Sequence, residues 1–460
     1  MIYAKANNPL QLFDNHTNNA YLSFIMNQLF MKGLFGLLFL ANSMFTSPQN
    51  LKEKAIPLKS DASLDSLILT AAEKELVLLG ESTHGTHEYY LWRDKITRRL
   101  IAEHGFSFIA VEGDFASLYH LNNYVKNREG AASSAKEVLM KLHRWPTWMW
   151  SNEEVVALAE WLRTHNDKLP QDEKVGFYGM DVYDEWNSKK EVLDLLEATN
   201  KAAYAYVKAQ YKCFEPHKGD SWRYADAVDR GKKSCASATK NVVEYVRNNR
   251  HKFADLSDDV YFYLLQNTIV VNNAEEFYRE SIASVGHVSW NSRAHHMHGT
   301  VNDLLTLYGE NSKGIVWAHN THIGDAEYTS MRNTGEKNIG QLTREGLGRD
   351  NVFLIGFTTY EGKVMAGSEW GGRMKEMTIP PAIPNSIEHK LNKIDEESFY
   401  LIFDEEDRKK KNLKAMGNRA VGVVYNPRGD KRQFVPTIVP MRYDALFFFK
   451  KTTAVHVLKR

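Results

Sequence analysis

From Asp61 onward, short apolar runs rich in β-branched and aromatic residues alternate with longer amphipathic segments. This regular alternation constrains the fold more than any other feature, because it is typical of parallel strands joined by crossover helices. We therefore predict an α/β fold with a central, mostly parallel sheet flanked by helices. The five main strands are predicted at residues 76–79, 108–111, 175–178, 315–317 and 352–357.

Later apolar runs, at residues 400–403, 420–425 and 445–449, are predicted to extend or edge the sheet. Between residues 183 and 308 no run has the pattern of a strand, so we predict a helical insertion there that covers the site at the mouth of the sheet. The chain is thus predicted to consist of an N-terminal extension (1–50), a first part of the α/β catalytic core (51–182), the helical insertion (183–308) and a second part of the core (309–460).

One predicted helix, over residues 88–104, carries a clear amphipathic pattern. Trp92, Ile96 and Leu100 recur every four residues and share one face, whereas the neighbouring charged residues fall elsewhere. Gly105 follows this segment and suits the left-handed position that commonly ends a helix.

The N-terminal extension contains a candidate targeting segment. Lys32 precedes an apolar stretch at residues 33–41, and small residues follow it. This is the pattern of a secretory signal peptide, and the stretch is too short to span a membrane. We expect a periplasmic or secreted protein without a stable membrane anchor, with Met26 or Met31 as the true start. The alternative is a frayed amphipathic helix on a cytoplasmic protein.

The two cysteines, Cys213 and Cys235, are too few for a zinc ribbon or a disulfide scaffold. In an oxidising compartment they would pair across about 22 residues, which is worth about 3 kcal/mol on the chain-entropy model. Two unrelated reduced thiols are the alternative.

The charge balance of the chain argues against a polyanionic partner. Lys and Arg number 58 and Asp and Glu number 57, so the formal net charge is +1. No long-range field then favours nucleic acid, and we predict no nucleic-acid partner. Aromatic residues make up 12% of the chain, which is enough to line a large apolar pocket for a small-molecule ligand.

Titratable side chains follow four of the predicted strands, and this is the strongest functional signal. The carboxyl ends of parallel strands meet at one edge of a sheet, where ligands bind in open α/β folds. The alternative is that the four sets do not converge, and that each residue separately caps a helix or forms hydrogen bonds within a turn. The residues concerned are Glu81 and His84 after the first strand, Glu112 after the second, Asp181 after the third, and His319 and His322 after the fourth.

Within this set, His84 is the best candidate for a general base, because imidazole titrates near neutrality and takes a proton from water. Glu81 and Glu112 would hold its useful tautomer or share a proton in an enclosed site. Arg93, on the following helix, would pair with a carboxylate or stabilise an oxyanion, although a surface charge is the simpler alternative.

Two other kinds of chemistry need comparison with this one. The paired His319 and His322 also suit a divalent metal, for which Glu81, Glu112 and the triplet His295, His296 and His298 would offer further ligands. No His-Glu-x-x-His signature occurs, so we favour metal-free catalysis and predict no metal and no cofactor, with a divalent metal as the alternative. Ser82 lies in a strand-to-helix turn, but its surroundings are not the Gly-x-Ser-x-Gly elbow of serine hydrolases. A dinucleotide fingerprint and a phosphate loop are also absent from the sequence.

Six segments of the chain together resemble the erythromycin esterase family, whose members open the macrolactone ring of macrolide antibiotics by hydrolysis. The resemblance extends in order over most of residues 60–450. The matching segments are LGESTHGTHE at 79–88 with Arg93, IAVE at 109–112, WMW at 148–150 with WLR at 161–163, GMD at 179–181, WAHNTH at 317–322, and residues 356–362.

The resemblance implies an active site at the positions that match the family's motifs. It places catalytic roles on Glu81, His84, Arg93, Glu112, His319 and His322. His84 would be the base that activates water. We predict Asp181 and Arg293 as substrate-binding residues. One departure is that Ala294 follows Arg293 where members of the family commonly have Asp, which puts macrolide specificity in question.

These observations lead to one main hypothesis for the function and two rivals. We expect a hydrolase of carboxylic esters, in the first place of macrolide lactones, and hence a role in antibiotic resistance. The first rival is a metal-dependent hydrolase of another ester, and an ester hydrolase of an envelope or polysaccharide substrate is a variant of the main hypothesis. The second is a protein that binds a large hydrophobic molecule without turning it over. Fold and family do not fix the substrate.

Overall fold

All five predicted main strands are present and lie in one nine-stranded sheet. The computed structural model describes residues 48–283 and 287–459. Within them the strands are β1 (Ile56–Pro57), β2 (Leu76–Leu79), β3 (Phe108–Asp114), β4 (Gly176–Asp181), β5 (Gly314–Trp317), β6 (Val352–Gly367), β7 (Met374–Ile379), β8 (Ser398–Ile402), β9 (Met416–Arg419), β10 (Phe434–Thr437) and β11 (Ala445–Thr452).

Helices precede the first strand and connect most of the later ones. They are α1 (Pro48–Lys54), α2 (Asp65–Ala72), α3 (His87–His104), α4 (Phe115–Val125), α5 (Ala135–Met140), α6 (Glu153–Asn166), α7 (Glu185–Thr199), α8 (Lys201–Tyr211), α9 (Ser221–Asp229), α10 (Ala236–Asn248), α11 (Asp258–Ala283), α12 (His287–Tyr308), α13 (Asn320–Ile323), α14 (Ile339–Leu347), α15 (Ile387–Leu391), α16 (Glu405–Lys409) and α17 (Val439–Arg442).

The sheet has the strand order β1-β8-β11-β6-β2-β5-β3-β4, and β7 pairs with the far end of β6. The six strands from β11 to β4 run parallel. Pairing is antiparallel where β8 joins β11, where β1 joins β8, and in the β6–β7 hairpin. The predicted α/β class with a mostly parallel central sheet is therefore confirmed.

The central strands are apolar because helices cover both of their faces. Every residue of β2, β3, β4 and β5 is buried. Val77 and Ile315 belong to the cluster on one face, and Leu78 and Val316 to the cluster on the other. Strands buried on both faces appear in the sequence as continuous apolar runs, which is why the periodicity located them well.

The predicted strand at 420–425 is wrong. Residues 416–419 form β9, which pairs with β10 in a separate two-stranded antiparallel sheet. The following residues are irregular and make only isolated bridges, from Val421 to Thr83 and from Val424 to Gly367. Val421 and Tyr425 pack against the β6–β7 hairpin, and Val423 packs against the main core. The predictions at 400–403 and 445–449 correspond to β8 and β11 and are confirmed.

Helix α3 confirms the amphipathic pattern. Trp92, Ile96 and Leu100 are all buried against the sheet. Gly105 ends the helix in the left-handed conformation, with φ of 69°, and its amide donates to the carbonyl of Ile101. Arg93 is buried on the same helix, although the charged residues next to it are not.

Between β4 and β5 the described residues contain helices and short helical turns, from α7 to α12, and no strand. Helices α7, α8, α10 and α11 share an apolar cluster of their own. The predicted domain boundaries at 50, 182 and 308 stay predictions. The candidate targeting segment at 32–43 lies outside the described residues. Within the described part of the chain, no helix combines the length and apolarity needed to cross a membrane.

Cys213 and Cys235 are joined in a disulfide that ties the end of α8 to the start of α10. We expect reduction of this bond to lower the free energy of unfolding by about 3 kcal/mol, because it frees a loop of 22 residues in the unfolded chain. Chemical denaturation with and without a phosphine reductant measures the loss. An equal midpoint under both conditions would show that the bond adds no stability.

Candidate active site

The sheet order brings four of the predicted site residues to one edge. Strands β4, β3, β5 and β2 are consecutive neighbours and parallel, so their carboxyl ends lie side by side. Asp181 ends β4, Glu112 lies near the end of β3, His319 follows β5 and Glu81 follows β2. The register of β3 shifts between Val111 and Asp114, next to Glu112. All of these side chains are buried.

A chain of hydrogen bonds connects Arg93, Glu81 and His84. Arg93 Nη2 donates to Glu81 Oε2 at 2.7 Å, and the other carboxylate oxygen lies 2.9 Å from His84 Nδ1. The Arg93 guanidinium is fully buried, and its central carbon lies 4.6 Å from the centre of the Trp317 ring. Because Nδ1–H donates a hydrogen bond to the carboxylate, the neutral His84 ring has its lone pair on Nε2.

Backbone contacts fix the loop that carries His84. The carbonyl of Gly85 accepts hydrogen bonds from the amides of Met365 and Val455, both at 3.0 Å. A side chain at position 85 would collide with the backbone of Met365, so this close approach requires glycine. Tyr90 Oη also donates to the His84 carbonyl at 3.2 Å. The imidazole is therefore presented by a loop with little freedom.

His319 lies against His84 and is held as a neutral ring. The two ring centres are 4.8 Å apart. Its Nδ1 accepts from the amide of Thr321 at 3.2 Å and lies 2.8 Å from the Thr321 hydroxyl. Because an amide only donates, the ring proton belongs on Nε2, which is buried without a hydrogen-bond partner. Burial and repulsion from His84 hold the pKa of His319 well below its usual range.

Glu112 joins three elements through its two oxygens. Oε2 accepts from the backbone amide of His319 at 2.8 Å. Oε1 accepts from Arg293 Nη2 at 2.9 Å and lies 3.3 Å from His322 Nε2. Burial raises the pKa of Glu112, but the charges of His322, His84 and Arg293 outweigh burial and hold it well below its usual range. This carboxylate is therefore a permanent negative charge at the centre of the site.

Arg293 reaches the same point from α12. Its Nε and Nη2 donate to the two oxygens of Asp181 at 2.8 and 2.7 Å, a bidentate pair. Its Nη1 lies 3.2 Å from His322 Nε2. Burial raises the pKa of Asp181, but the charge of Arg293 outweighs this and lowers it. The predicted substrate-binding pair is thus brought together, with each residue bound to the other.

Trp290 and Thr321 also contact the imidazoles, although neither is among the predicted site residues. The Trp290 ring stacks on His322 with centres 4.7 Å apart and planes 10° apart. A signal was present for each of them. Trp290 lies three residues before Arg293 on α12 and therefore on the same helical face, and Thr321 lies inside the segment that contains both histidines.

The environment of His84 favours its charged form. Burial lowers the pKa of the imidazole, but the charge of Glu112 and the hydrogen bond to Glu81 outweigh burial. The net effect raises the pKa above the ordinary value of 6.5. A proton taken up by His84 is therefore stabilised by two carboxylates.

The histidine triplet does not join this group as a set of ligands. His296 is buried, with Nε2 3.2 Å from the Asp181 carbonyl and Nδ1 3.0 Å from the Asn273 amide nitrogen. Burial lowers its pKa to about 4. His295 is exposed, and His298 lies 3.4 Å from Asn302. Ser82 is also occupied, because its hydroxyl is 2.8 Å from that of Tyr89 and fully buried.

The side chains of the site are packed together in this conformation. His84, His319 and His322 expose 7%, 2% and 3% of their surface. Two cavities of about 420 and 290 Å³ occur elsewhere on the protein, and no residue of this site lines either of them. In this conformation the three imidazoles therefore offer little exposed surface.

Comparison with known proteins assigns the chain to a family. The family model described as erythromycin esterase matches residues 101–452, which is most of the chain. The chain belongs to the erythromycin esterase family. This assignment supports a hydrolase of esters that acts on a small molecule. The family resemblance is thereby confirmed; five of the six motif segments lie within the matched residues, whereas 79–88 and Arg93 lie before them.

Solved structures share the fold of this erythromycin esterase family member. A succinoglycan biosynthesis protein aligns with a TM-score of 0.72 at 22% identity and covers 89% of this chain and 98% of its own. A protein from Bacillus cereus aligns with a TM-score of 0.74 at 20% identity, covering 90% and 98%. A histidine-to-asparagine mutant of the erythromycin esterase EreC, in its open conformation, aligns with a TM-score of 0.59 at 15% identity, covering 85% and 94%.

Proposed function

We propose that the protein hydrolyses carboxylic esters with a water molecule that His84 activates, and that macrolide lactones are its main substrates. One observation carries this proposal. The imidazole of His84 is fixed at Nδ1 by the Glu81–Arg93 pair and faces a second, neutral imidazole whose Nε2 has no partner. A fixed base next to a free hydrogen-bond donor is what water attack on a carbonyl group needs.

The proposed reaction begins with proton transfer. His84 Nε2 takes a proton from water while the oxygen forms a bond to the carbonyl carbon of the ester. The carbonyl π electrons move to its oxygen and give a tetrahedral oxyanion. When the oxyanion collapses, the bond to the alcohol oxygen breaks, and the His84 imidazolium returns the proton to that oxygen. The products are a carboxylic acid and an alcohol, which remain one molecule when the substrate is a lactone.

The other residues divide into donors to the oxyanion and positioning residues. His319 Nε2 is the proposed donor to the oxyanion, because it carries a proton that no described side chain accepts. Glu112 stabilises the imidazolium that forms on His84 and holds His319 by its backbone amide. Arg93 is fully buried and bonded to Glu81, so we assign it a positioning role in place of the oxyanion role that the sequence suggested.

His322, Asp181 and Arg293 form the opposite wall of the proposed site. The pairing of Arg293 with both acids fixes the guanidinium, and Nη1 lies beside His322. We propose that His322 and Arg293 contact the alcohol side of the substrate and that Asp181 orients Arg293. The stacked Trp290 ring would then fix the plane of His322.

Incubation with a panel of esters tests the substrate proposal. The panel contains macrolides of different ring size, simple alkyl esters and an acylated polysaccharide. We expect one or more macrolides to gain the mass of one water. Hydrolysis of the other esters with no change in any macrolide would contradict the macrolide assignment and leave the ester chemistry in place. No product from any member would contradict both.

The pH dependence of kcat/KM tests the role of Glu112. Only neutral His84 acts as the base, so activity is expected to rise as pH increases through a pKa above 6.5. Glu112→Gln removes a negative charge that favours the imidazolium, so this limb of the profile should move to lower pH. A limb that stays in place or moves upward would contradict the electrostatic role of Glu112, whatever the size of the loss in rate.

We also propose that the protein acts outside the cytoplasm. The signal-like segment at 32–43 and the Cys213–Cys235 disulfide support this, because disulfides persist mainly in oxidising compartments. Fractionation of expressing cells tests it. Protein that stays in the cytoplasm with its full N-terminal extension would contradict the proposal. We also propose a role in antibiotic resistance. Cells that express the wild-type protein should then grow on a macrolide, and cells that express His84→Asn should not.

A further inference from the structure

A second cluster of metal-ligating side chains lies outside the candidate active site. His87 is the first residue of α3, Glu154 the second residue of α6, and His456 belongs to the C-terminal segment after β11. Their ligand atoms lie within 4.8 Å of one another. Among residues 48–283 and 287–459, no other group of three His, Cys, Asp or Glu side chains meets this limit. Three distant parts of the chain thus supply two imidazoles and a carboxylate at one point.

We propose that His87, Glu154 and His456 bind a divalent transition-metal ion, with Zn²⁺ as the best match. Two imidazole nitrogens and one carboxylate oxygen form a mixed nitrogen and oxygen ligand set that suits Zn²⁺, whereas Mg²⁺ and Ca²⁺ prefer oxygen alone. The remaining coordination position would hold water, because the His456 side chain is 64% exposed and the His87 side chain 27%.

The present spacing is close to what an ion needs. Nδ1 of His87 and Nδ1 of His456 each lie 2.6 Å from the same oxygen, Glu154 Oε1. Tetrahedral Zn²⁺ with bonds of about 2.0–2.1 Å keeps its ligand atoms about 3.3 Å apart. Each nitrogen–oxygen distance therefore widens by about 0.7 Å to admit the ion, and the exposed His456 has room to move. The ion binds the lone pairs of the ring nitrogens. Protons compete for the same lone pairs, so binding weakens at low pH.

Backbone hydrogen bonds already bring the three ligands together. His87 N donates to the Thr453 carbonyl at 3.0 Å, and Glu153 N donates to the His456 carbonyl at 2.9 Å. The amide of His456 lies 3.2 Å from Glu154 Oε1. A ligand set held by the fold before the ion arrives loses less conformational freedom on binding.

The position of the cluster indicates a structural role. Val455 donates to the Gly85 carbonyl, and Gly85 follows His84 directly. A bound ion would fasten the C-terminal segment to the first turn of α3 and so stabilise the loop that carries His84. The ion would contact no proposed catalytic side chain. Chelation should therefore lower the melting temperature and leave the initial rate of ester hydrolysis unchanged while the protein stays folded.

Calorimetric titration of the full chain with Zn²⁺, after removal of any affinity tag, tests the proposal. We expect one ion per chain and a melting temperature that rises with Zn²⁺ concentration. His456→Ala should weaken binding at least tenfold, because it removes one of three ligands at an exposed position. The matched control is His143→Ala, another exposed histidine, which contacts only the Lys141 carbonyl and should bind Zn²⁺ as the wild type does.

Co²⁺ gives a second readout that does not depend on the stability of a variant. Its visible absorption bands change intensity when imidazole and carboxylate replace water. Wild type and His143→Ala should give the tetrahedral spectrum, and His456→Gln should not. Equal Zn²⁺ affinity in His456→Ala and His143→Ala, or no binding at millimolar Zn²⁺, would show that the cluster is an ion pair network without a metal. Both readouts use protein without substrate, so they do not depend on the proposed esterase function.

Discussion

His84→Asn is expected to lower kcat for ester hydrolysis by about 10²–10⁴-fold, the contribution of a well-placed general base. The asparagine amide reaches a position where it donates to Glu81 as the imidazole does, but it takes no proton from water. KM should change little, because the proposed role of His84 lies in the transition state. Initial rates on the best ester of the panel measure the effect.

Two controls accompany this variant. The melting temperature of His84→Asn shows whether the fold is intact, and His143→Ala shows how far an exposed histidine affects the rate. If His84→Asn retains both its fold and more than a tenth of the activity, another group is the base. His319→Gln keeps a donor at the same place and should lose less activity than His319→Ala, because the proposed function of His319 is to donate.

Arg93→Met is expected to lower the free energy of unfolding by about 3–5 kcal/mol, because it leaves the Glu81 carboxylate buried without its partner. The Arg93 side chain is fully buried and that of Glu81 is 2% exposed. Methionine fills most of the volume of the aliphatic part of the arginine side chain. The loss of stability therefore comes mainly from the missing positive charge. Chemical denaturation measures the change, and activity should fall as well, because Arg93 no longer fixes the Glu81 carboxylate that binds His84 Nδ1.

The control for Arg93 lies on the same helix. Lys95 pairs with Asp61, and their side chains are 30% and 70% exposed. Lys95→Ala should cost under about 1 kcal/mol, as expected for a surface pair. Combining Arg93→Met with Glu81→Gln should restore much of the stability, because no buried charge is left unpaired. A loss of under about 1 kcal/mol for Arg93→Met alone would contradict the proposed pairing.

Much of the fold was accessible from the sequence, because the central parallel strands are buried on both faces. An apolar run such as Leu76–Leu79, ended by glycine and a charged residue, indicates both the strand and the position of its carboxyl end. The edge elements were less accessible. β6 extends to Gly367 and turns into β7 beyond the central sheet, and 420–425 packs on that hairpin instead of forming a strand. An apolar run in the sequence indicates that the segment is buried, but not which part of the protein it packs against.

The candidate site was accessible in part for a related reason. Residues after parallel strands share one edge, so Glu81, Glu112 and His319 were grouped before their distances were known. The sequence does not predict the pairing of Arg293 with Asp181, because this contact depends on how α12 packs across the sheet. The tautomer of His319 follows from one hydrogen bond with the Thr321 amide, which sequence patterns do not specify. The same holds for the contact of His456 with Glu154, which are 302 residues apart.

A single-turnover reaction in ¹⁸O-labelled water tests the central proposal most directly. Enzyme in excess over a hydrolysed ester should give an acid with one ¹⁸O atom in its carboxyl group, and His84→Asn should give no such product at the same time point. Unlabelled acid from the first turnover would mean that a carboxylate of the protein attacks the ester instead of water. Equal labelling rates in wild type and His84→Asn would show that His84 does not activate the water.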